Sequence, residues 1–368
     1  MPDTLLFIPD ISGFTKFVNK TEVQHGQHVI TELLEILIDA NFLELELSEI
    51  EGDALFFYKQ GDLPNQAIIA DQARTMFLKF HQHLNQYQNN RICQCGACRS
   101  AGELTLKFIV HHGPIDFIKV KDQVKPYGAD VILAHRLLKN PITSPEYILF
   151  TESSLNGFGD NDNLNIPWLE INSGQVEYDN IGSVNYHYAE LSALHNLVPE
   201  ASMGPAGSKS RKTLVVDTYI DRNYQEVFEI IIDLEQRMRW NNFANDIEFD
   251  DRLNQVGTKH ICVFDNSTIE FVSVTADFGP NTLVYGENVL SLPAFAKQIT
   301  VYFLAEPKQL GCQVSLAIHY ELKTWGQLID PFFRYKSTQT NRQTLQDLKE
   351  YCETRLSQDR VQQDSQNQ

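Results

Sequence analysis

FIPDISGFTKF occupies residues 7–17 of the sequence, and EIEGDALFF occupies residues 49–57. The first stretch predicts a buried strand that ends at Asp10, and the second predicts a strand that begins at Asp53 after a glycine turn. If these strands are neighbours, the two carboxylates converge on one point. Oxygen ligands with open positions suit Mg²⁺ bound through the phosphates of a substrate. We therefore predict a metal site, against the alternative that each aspartate is only a turn or strand-end residue.

Two further patterns lie between these stretches. Apolar residues recur at helical spacing from Val29 to Ile38, which predicts an amphipathic helix that covers the sheet. Apolar and acidic residues alternate from Phe42 to Leu47, which predicts a half-buried strand leading into the turn before Asp53.

The motif Asp-Ile-Ser-Gly-Phe-Thr, followed by a helix and a hairpin with Gly-Asp at its turn, resembles the catalytic domain of class III nucleotidyl cyclases, the adenylyl and guanylyl cyclases. The resemblance extends over about residues 1–193 and implies a ferredoxin-like α+β core. It implies that Asp10 and Asp53, with Ile11, hold two ions of Mg²⁺ or Mn²⁺. A ribose 3′-hydroxyl of a nucleoside triphosphate would then attack the α-phosphate and release pyrophosphate, chemistry that depends on positioning and charge neutralisation.

A predicted helix that opens at Tyr127 resembles the helix on which this family carries an Asn and an Arg one turn apart. Arg136 matches the Arg, and the resemblance implies a catalytic role in neutralising charge on the transferring phosphate. The Asn position holds Ile132, which donates no hydrogen bond. Residues 182–188 also contain no obvious match for the late lysine of the family. These departures leave open whether the chain is an active cyclase.

Base choice in the family rests partly on the residue four before the second metal-binding aspartate. That residue is Glu49 here, which matches the guanine type. The companion position falls in residues 124–126, where Lys125 matches neither preference. Glu49 and Lys125 are therefore the predicted contacts to the nucleotide. Family members build each site from two chains, so the resemblance also implies a symmetric homodimer.

Half of the six cysteines lie in one short segment, at Cys93, Cys95 and Cys98. Three clustered thiols in a cytoplasmic chain are more often a soft-metal site than a disulfide, so the segment predicts structural Zn²⁺. Zinc normally takes four ligands. The fourth would have to come from a partner chain or from one of the histidines His81, His83, His111 and His112. The alternative is a loop of reduced thiols.

The second half of the chain predicts another domain, which begins with a strand at Thr213. Two short helices, an antiparallel meander and a long helix from near Ile329 to about Leu356 resemble the START-like, polyketide-cyclase-like (SRPBCC) helix-grip domains. Such domains leave an apolar cavity between the curved sheet and the last helix, which implies a site for an apolar small molecule. The predicted cavity liners, each of which could instead be ordinary core, are Trp240, Phe264, Tyr285, Phe303, His319 and Phe332.

Length and composition fit this division. A chain of 368 residues exceeds one typical domain, and 42% hydrophobic residues are enough for two hydrophobic cores. We predict a cyclase-like domain at 1–194, a linker at 195–212, a helix-grip domain at 213–357 and a disordered tail at 358–368. The formal net charge of −18 argues against nucleic-acid and anionic-membrane partners. No signal-peptide pattern and no apolar stretch of membrane-spanning length occur, which predicts a cytoplasmic protein.

Three functions from different classes remain open. In the first, the N-terminal half is a degenerate cyclase that binds a nucleotide with Mg²⁺, and the C-terminal half senses an apolar ligand. In the second, the N-terminal half is an active cyclase. In the third, the protein chiefly carries or senses a lipid or aromatic ligand, and the N-terminal half is a scaffold. The two carboxylates and Arg136 favour the first and second functions. Ile132 and the missing lysine favour the first over the second.

Overall fold

The computed structural model describes residues 3–20, 23–61, 64–89, 91–93, 95–121, 123–156, 166–200, 212–249, 254–265, 267–279 and 281–355. The chain divides into two compact units: Met1–Gln88 with Cys95–Ala201, and Asn89–Gln94 with Ser202–Gln368. Most of the predicted linker, residues 201–211, lies outside the described residues, and so does the predicted tail. None of the described helices combines the length and the apolar character that a membrane crossing requires.

The first unit contains both strands and helices, in mixed order along the chain. The strands are β1 (Asp3–Ser12), β2 (Glu46–Glu51), β3 (Ala54–Gln60), β4 (Thr105–Pro114), β5 (Asp116–Val120), β6 (Gln123–Tyr127), β7 (Tyr147–Thr151), β8 (Ile171–Tyr178) and β9 (Gly182–Glu190). The helices are α1 (Phe14–Lys20), α2 (Val23–Asp39), α3 (Gln66–Asn89), α4 (Gly96–Ser100), α5 (Ala129–Arg136) and α6 (Glu152–Asn156). A 3₁₀ turn follows β9 at Ser192–Leu197.

Strand β1 lies inside a seven-stranded sheet of order β2-β3-β1-β4-β7-β9-β8. It pairs antiparallel with both β3 and β4, and all its residues from Thr4 to Ile11 are buried. A strand with helices or loops over both faces reads as a continuous apolar run, which is why this stretch stands out in the sequence. On one face Leu6 and Ile8 pack in a cluster with Ala134 of α5.

The rest of the sheet is mixed. Strands β4 and β7 are parallel, whereas the other pairs of the sheet are antiparallel. Strands β5 and β6 form a separate antiparallel hairpin. The prediction of a mixed α+β protein is confirmed.

The predicted strand at Phe42–Leu47 is wrong in its position, because β2 begins only at Glu46. The side chain of Asn41 holds the preceding residues in a turn: its amide donates to the carbonyl of Leu45 at 2.8 Å, and its oxygen accepts from the Leu45 N–H at 3.1 Å. Glu44 adopts a φ of +53°, in the left-handed region that a strand does not use. The alternation of apolar and acidic residues therefore belongs to a turn.

The second unit is a long antiparallel sheet with three helices among its described residues. Its strands are β10 (Lys212–Ile220), β11 (Asp246–Phe249), β12 (Lys259–Phe264), β13 (Ser267–Val274), β14 (Leu283–Val289), β15 (Ala296–Pro307) and β16 (Cys312–Leu322), in the sheet order β10-β16-β15-β14-β13-β12-β11. Its helices are α7 (Tyr224–Ile232), α8 (Leu234–Trp240) and α9 (Asp330–Glu350). Helix α9 contacts β10 and β16, and it continues into a π-helical turn at Tyr351–Arg355.

A buried ion pair lies inside this unit. The guanidinium of Arg237, on α8, pairs with the carboxylate of Glu287, on β14, and both side chains are almost fully buried. Arg237 also donates to the carbonyl of Ile231 at 2.7 Å, and the Tyr285 hydroxyl donates to Glu287 at 2.8 Å. Burial alone would raise the pKa of Glu287. The charges of Arg237 and of nearby His260 outweigh it, so the pKa lies well below its ordinary value.

We expect the substitution Glu287→Ala to destabilise the protein by about 3–5 kcal/mol, because it leaves the Arg237 charge buried without a partner. The pKa of Glu287 is lower in the folded chain than in the unfolded chain. Its contribution is therefore complete above the ordinary carboxyl pKa and decreases as the pH falls below it. Urea unfolding at several pH values measures both effects.

The matched control is Glu321→Ala, which breaks an exposed ion pair with Lys297 at 2.8 Å in the same unit. An exposed pair contributes about 0–1 kcal/mol. Equal losses of stability in the two variants would contradict the assignment of Glu287 as the essential partner of Arg237.

Candidate functional site

The two aspartates predicted to bind metal lie on neighbouring strands. Asp10 is near the end of β1, opposite Ala54 at the start of β3, and Asp53 immediately precedes β3. The N–H of Ile11 donates to the carbonyl of Asp53 at 3.0 Å. Gly52 makes the preceding turn with a φ of +65°, which glycine adopts without strain. The hairpin and the strand pairing therefore bring both carboxylates to the same edge of the sheet.

Burial raises the pKa of Asp53, and the negative charge of Asp10 raises it further. Asp10 is 9% exposed and forms an ion pair at 2.9 Å between its Oδ2 and the Nζ of Lys107. Lys107 lies directly opposite Asp10 on β4, and it also donates to the carbonyl of Leu138 at 3.2 Å.

This arrangement suits a divalent cation. Two carboxylates and one ammonium leave a net negative charge in a partly buried place, and hard oxygen ligands are those that Mg²⁺ or Mn²⁺ prefers. Ile11, which the cyclase resemblance placed with the metals, is fully buried between β3 and β4. Asp10 and Asp53 are therefore the residues that could hold the metal, and Lys107 is the competing cation.

Glu49 and Lys125, the predicted nucleotide contacts, are also brought together. The Nζ of Lys125 on β6 lies 2.6 Å from Oε2 of Glu49 on β2. This hydrogen bond, and the charge of Glu49, raise the pKa of Lys125. Nearby, His135 of α5 lies 3.1 Å from Glu51 and stacks on Phe56 at 4.7 Å. The first pair is exposed enough for a ligand to separate it, whereas the second fixes α5 to the sheet.

Helix α5 carries the predicted catalytic Arg136. The helix begins after Gly128, and Asp130 in its first turn lies 2.9 Å from Nε2 of His111 on β4. Ile132 is 55% exposed, and Arg136 is exposed as well. Within the described part of the chain, Arg136 forms no hydrogen bond or ion pair with either aspartate. One chain alone therefore does not bring Arg136 into contact with the carboxylates.

The cysteine segment forms a compact cluster. Cys93, Cys95 and Cys98 are buried, and their sulfur atoms lie within 4.8 Å of one another. Cys95 caps α4, because its Sγ accepts from the N–H of Cys98 at 3.4 Å. Three thiol sulfurs at this separation are suitable ligands for Zn²⁺.

The histidines considered as a fourth zinc ligand mostly have other neighbours. His83 lies 2.8 Å from Glu32, His81 lies 2.8 Å from Glu146, and His111 contacts Asp130. His112 is buried on β4. Zinc binding by the three thiols remains a prediction.

Sequence reasoning missed a second cluster in the first unit, formed by His81, Glu146 and His195. One donor atom from each lies within 4.8 Å of the others. Burial lowers the pKa of His81. Burial would raise the pKa of Glu146, but the two imidazoles beside it lower it overall. The three residues are far apart in sequence and follow no ligand spacing, so only the folded chain reveals them.

The aromatic residues predicted to line a cavity in the second unit have different environments. The rings of Trp240, Tyr285 and Phe303 surround the Arg237 guanidinium at 6.0, 5.3 and 5.2 Å. The other predicted liners differ in burial: Phe264 and His319 are partly buried, and Phe332 is 65% exposed. A polar pocket of about 80 Å³ lies beside Trp240 and is lined by Arg239, Trp240, Asn242, Asp347, Glu350 and Tyr351. The apolar cavity remains a prediction.

Comparison with known proteins identifies related proteins and a matching family model. The uncharacterized protein Rv2561/Rv2562 of Mycobacterium tuberculosis (strain ATCC 25618 / H37Rv) is 30% identical over 164 residues, which cover 44% of this chain and 74% of the mycobacterial protein. The chain belongs to the family of this mycobacterial protein. A family model described as a protein of unknown function (DUF2652) matches residues 30–147.

Solved structures similar to about half of the chain include guanylyl cyclase domains. The guanylate cyclase domain of RhGC from Catenaria anguillulae, in complex with GTP, is 16% identical with a TM-score of 0.38, covering 51% of this chain and 96% of that domain. The guanylyl cyclase Cya2 is 17% identical with a TM-score of 0.40, covering 51% of this chain and 94% of that structure. Structural similarity at this level of identity and TM-score does not assign an activity to the family.

The electrostatics of the aspartate pair lead to a prediction about stability. The pKa of Asp53 is raised by folding, so its ionised form destabilises the fold, and this cost appears as the pH rises through the folded pKa. We expect Asp53→Asn to unfold at a higher urea concentration than the wild type at neutral pH. Asp10→Asn should lose about 1–3 kcal/mol, because it removes the partner of the largely buried Lys107 ammonium.

The control is Asp3→Asn, which changes an exposed aspartate at the start of the same strand and should leave the urea midpoint unchanged. Loss of stability in Asp53→Asn, equal to that in Asp10→Asn, would show that the two carboxylates do not repel each other.

The cysteine cluster predicts about one Zn²⁺ per chain, provided that a fourth ligand is present. Removing the metal should loosen the segment, so that the three thiols become reactive together. Metal analysis of protein purified without chelator, followed by thiol titration before and after chelation, tests this. Absence of stoichiometric zinc, with thiols that all react quickly from the start, would return the cluster to a segment of reduced cysteines.

Proposed function

We propose that the first unit is a nucleotidyl cyclase-like module that binds a nucleoside triphosphate together with Mg²⁺ or Mn²⁺. The observation that carries this proposal is the position of Asp10 and Asp53 at one edge of the sheet, where burial and the negative charge of Asp10 raise the pKa of Asp53. A cation that neutralises the two carboxylates stabilises the ionised form of Asp53. Lys107 balances only one of the two charges.

Asp10 and Asp53 would hold the divalent ions, which supply charge neutralisation for the triphosphate when they are bound. The carboxylates themselves orient the ions, and Lys107 leaves Asp10 or contacts a phosphate oxygen. Glu49 accepts hydrogen bonds from the donor face of a guanine-like base. Lys125 is released from Glu49 at the same time and remains charged, because the ordinary pKa of a lysine lies well above neutral pH.

We infer further that the functional form is a homodimer. The exposed apolar residues of the β5–β6 hairpin support this inference, because a cluster of such residues marks an interaction surface. They are Ile118, Val120 and Tyr127 on one face of the hairpin, and Val124 on the other. A symmetric partner would place Arg136 of one copy against the aspartates of the other, since Arg136 is exposed and contacts neither aspartate of its own chain within the described residues.

Catalysis in this module is degenerate. Ile132 occupies the exposed position one helical turn before Arg136, and its side chain offers no hydrogen bond to orient a ribose. The retained Arg136 favours an active cyclase as the second candidate function. The degenerate module and the active cyclase would both bind the nucleotide, and they would differ in whether they convert it to a cyclic product.

For the second unit we propose a START-like helix-grip domain that senses an apolar small molecule. Support comes from the antiparallel sheet of seven strands and from the packing of α9 on β10 and β16. The start of α9 and the turn before it carry exposed apolar side chains, Leu328, Phe332 and Tyr335. Such side chains offer an apolar ligand a first contact, because burying them removes apolar surface from water. In the alternative function, the second unit carries an apolar ligand and the first unit is a scaffold. That function requires the apolar-ligand site, but it does not require Asp10 and Asp53.

We expect the full chain to bind GTP more tightly in the presence of Mn²⁺ than without it, by calorimetry. Asp10→Asn and Asp53→Asn should each weaken the Mn²⁺-dependent binding at least about tenfold, the equivalent of about 1.4 kcal/mol. Asp3→Asn is the control and should bind as the wild type does. Unchanged affinity in both site variants would rule out the proposed metal site.

The substitution Ile132→Asn tests why catalysis is degenerate. Ile132 is exposed, so the change should not affect folding, and it restores an amide that can orient the ribose. Mass spectrometry should detect more cyclic nucleotide from this variant than from the wild type, with GTP and Mn²⁺. Equal amounts from both would show that Ile132 is not the limiting residue, and rapid turnover by the wild type would replace the degenerate module with an active cyclase.

A further inference from the structure

The second cluster of the first unit joins three parts of the chain that are distant in sequence. His81 lies in the middle of α3, Glu146 immediately precedes β7, and His195 lies in the 3₁₀ turn after β9. Antiparallel pairing of β7 with β9 brings the last two together, because the N–H of Leu191 donates to the carbonyl of Glu146 at 3.1 Å. The core of the sheet therefore determines where Glu146 and His195 meet.

The donor atoms of the cluster converge on the Glu146 carboxylate. Nε2 of His81 lies 2.8 Å from Oε1, and Nε2 of His195 lies 2.7 Å from Oε2. The two imidazole rings are 4.4 Å apart in a T-shaped arrangement. Metal–nitrogen and metal–oxygen bonds in zinc sites are about 2.0–2.2 Å, so ligand atoms around one ion are about 3 Å or more apart. Shifts of a few tenths of an ångström would admit an ion here.

Two of these atoms lie away from solvent. Nε2 of His81 and Oε1 of Glu146 are both inaccessible to solvent and lie 2.8 Å apart, as an ion pair between α3 and the residue before β7. A buried carboxylate requires a compensating charge, which a neutral imidazole does not supply. A cation bound by both atoms would supply it.

The surroundings allow an ion to enter from one side. The rings of Phe77 and Phe80 lie 4.3 and 5.1 Å from the His81 ring, and Phe77 also lies 5.2 Å from His195. These rings exclude water from the inner side. The side chain of His195 is 47% exposed, so the outer side faces solvent.

We propose that His81, Glu146 and His195 form a second metal site, which binds a divalent transition ion such as Zn²⁺. Two imidazoles and one carboxylate are the ligands that transition ions favour over Mg²⁺, which prefers oxygen alone. Three protein ligands leave a coordination position open on the side of His195, as in zinc sites that also bind water or a small ligand. The site is separate from Asp10 and Asp53 and does not depend on nucleotide binding.

Cobalt(II) is the probe, because its visible absorption reports the ligands around it. The full chain, after chelator treatment, is titrated with Co²⁺. We expect a d–d absorption that saturates at one ion per chain and is distinct from the intense sulfur-to-cobalt band, which reports Co²⁺ bound by the cysteine cluster. His195→Asn, at a half-exposed position, should keep the far-UV circular dichroism of the wild type and weaken Co²⁺ binding at this site at least about tenfold.

The matched control is His83→Gln. His83 also lies on α3 and also faces a carboxylate, that of Glu32, at 2.8 Å. It should leave the Co²⁺ spectrum unchanged, whereas Glu146→Gln should abolish the d–d absorption of this site and leave any sulfur-to-cobalt band in place. The proposal fails if His195→Asn and Glu146→Gln bind Co²⁺ as the wild type does, or if every band requires the cysteines. It also fails if no Co²⁺ binds, in which case His81, Glu146 and His195 form only a structural contact.

Discussion

The antiparallel pairing of β1 with β3 is the interaction on which the first unit depends. It places a strand that is buried from Thr4 to Ile11 inside the sheet, and it fixes the register in which Asp10 faces Ala54. A slip of one residue would turn every side chain of β1 to the opposite face and would bring its apolar residues into conflict with the core. The packing that stabilises the fold thus also determines where the two carboxylates meet.

Two carboxylates that folding partly or fully removes from water, Asp53 and Glu287, differ in how their charge is compensated. The ionised form of Asp53 is disfavoured by burial and by Asp10, whereas the buried Glu287 of the second unit is stabilised by Arg237. Among the described residues, Lys107 is the cation paired with Asp10, whereas Glu287 is neutralised by Arg237. We therefore expect a bound cation to compensate Asp10 and Asp53, whereas the compensated Glu287 has a structural role.

Local patterns in the sequence were enough to predict much of this. The apolar run of β1, the glycine turn before Asp53 and the helical spacing after Val29 correspond to real elements, because each depends on neighbouring residues only. The strand predicted at Phe42–Leu47 failed because the Asn41 side chain forms a turn that alternation cannot reveal. The cyclase resemblance implied that Glu49 and Lys125 both contact the nucleotide; their side chains meet, and the nucleotide site itself remains a prediction.

Long-range contacts could not be predicted in the same way. The meeting of His81, Glu146 and His195 requires the pairing of β7 with β9 and the packing of α3, and neither leaves a spacing in the sequence. The same limit applies to Arg237 and Glu287. Arg237 had no feature to distinguish it from an exposed residue of α8, although it is the charge around which Trp240, Tyr285 and Phe303 pack.

The first unit would bind its divalent cation through Asp10 and Asp53 together. Crystals grown with Mn²⁺ and a non-hydrolysable GTP analogue would show this directly, through the anomalous scattering of manganese. We expect an anomalous peak that both carboxylates coordinate, at about the 2.0–2.2 Å of metal–oxygen bonds, with Lys107 displaced from Asp10. A bound analogue whose manganese lies away from both aspartates, with the Lys107 ion pair intact, would contradict it.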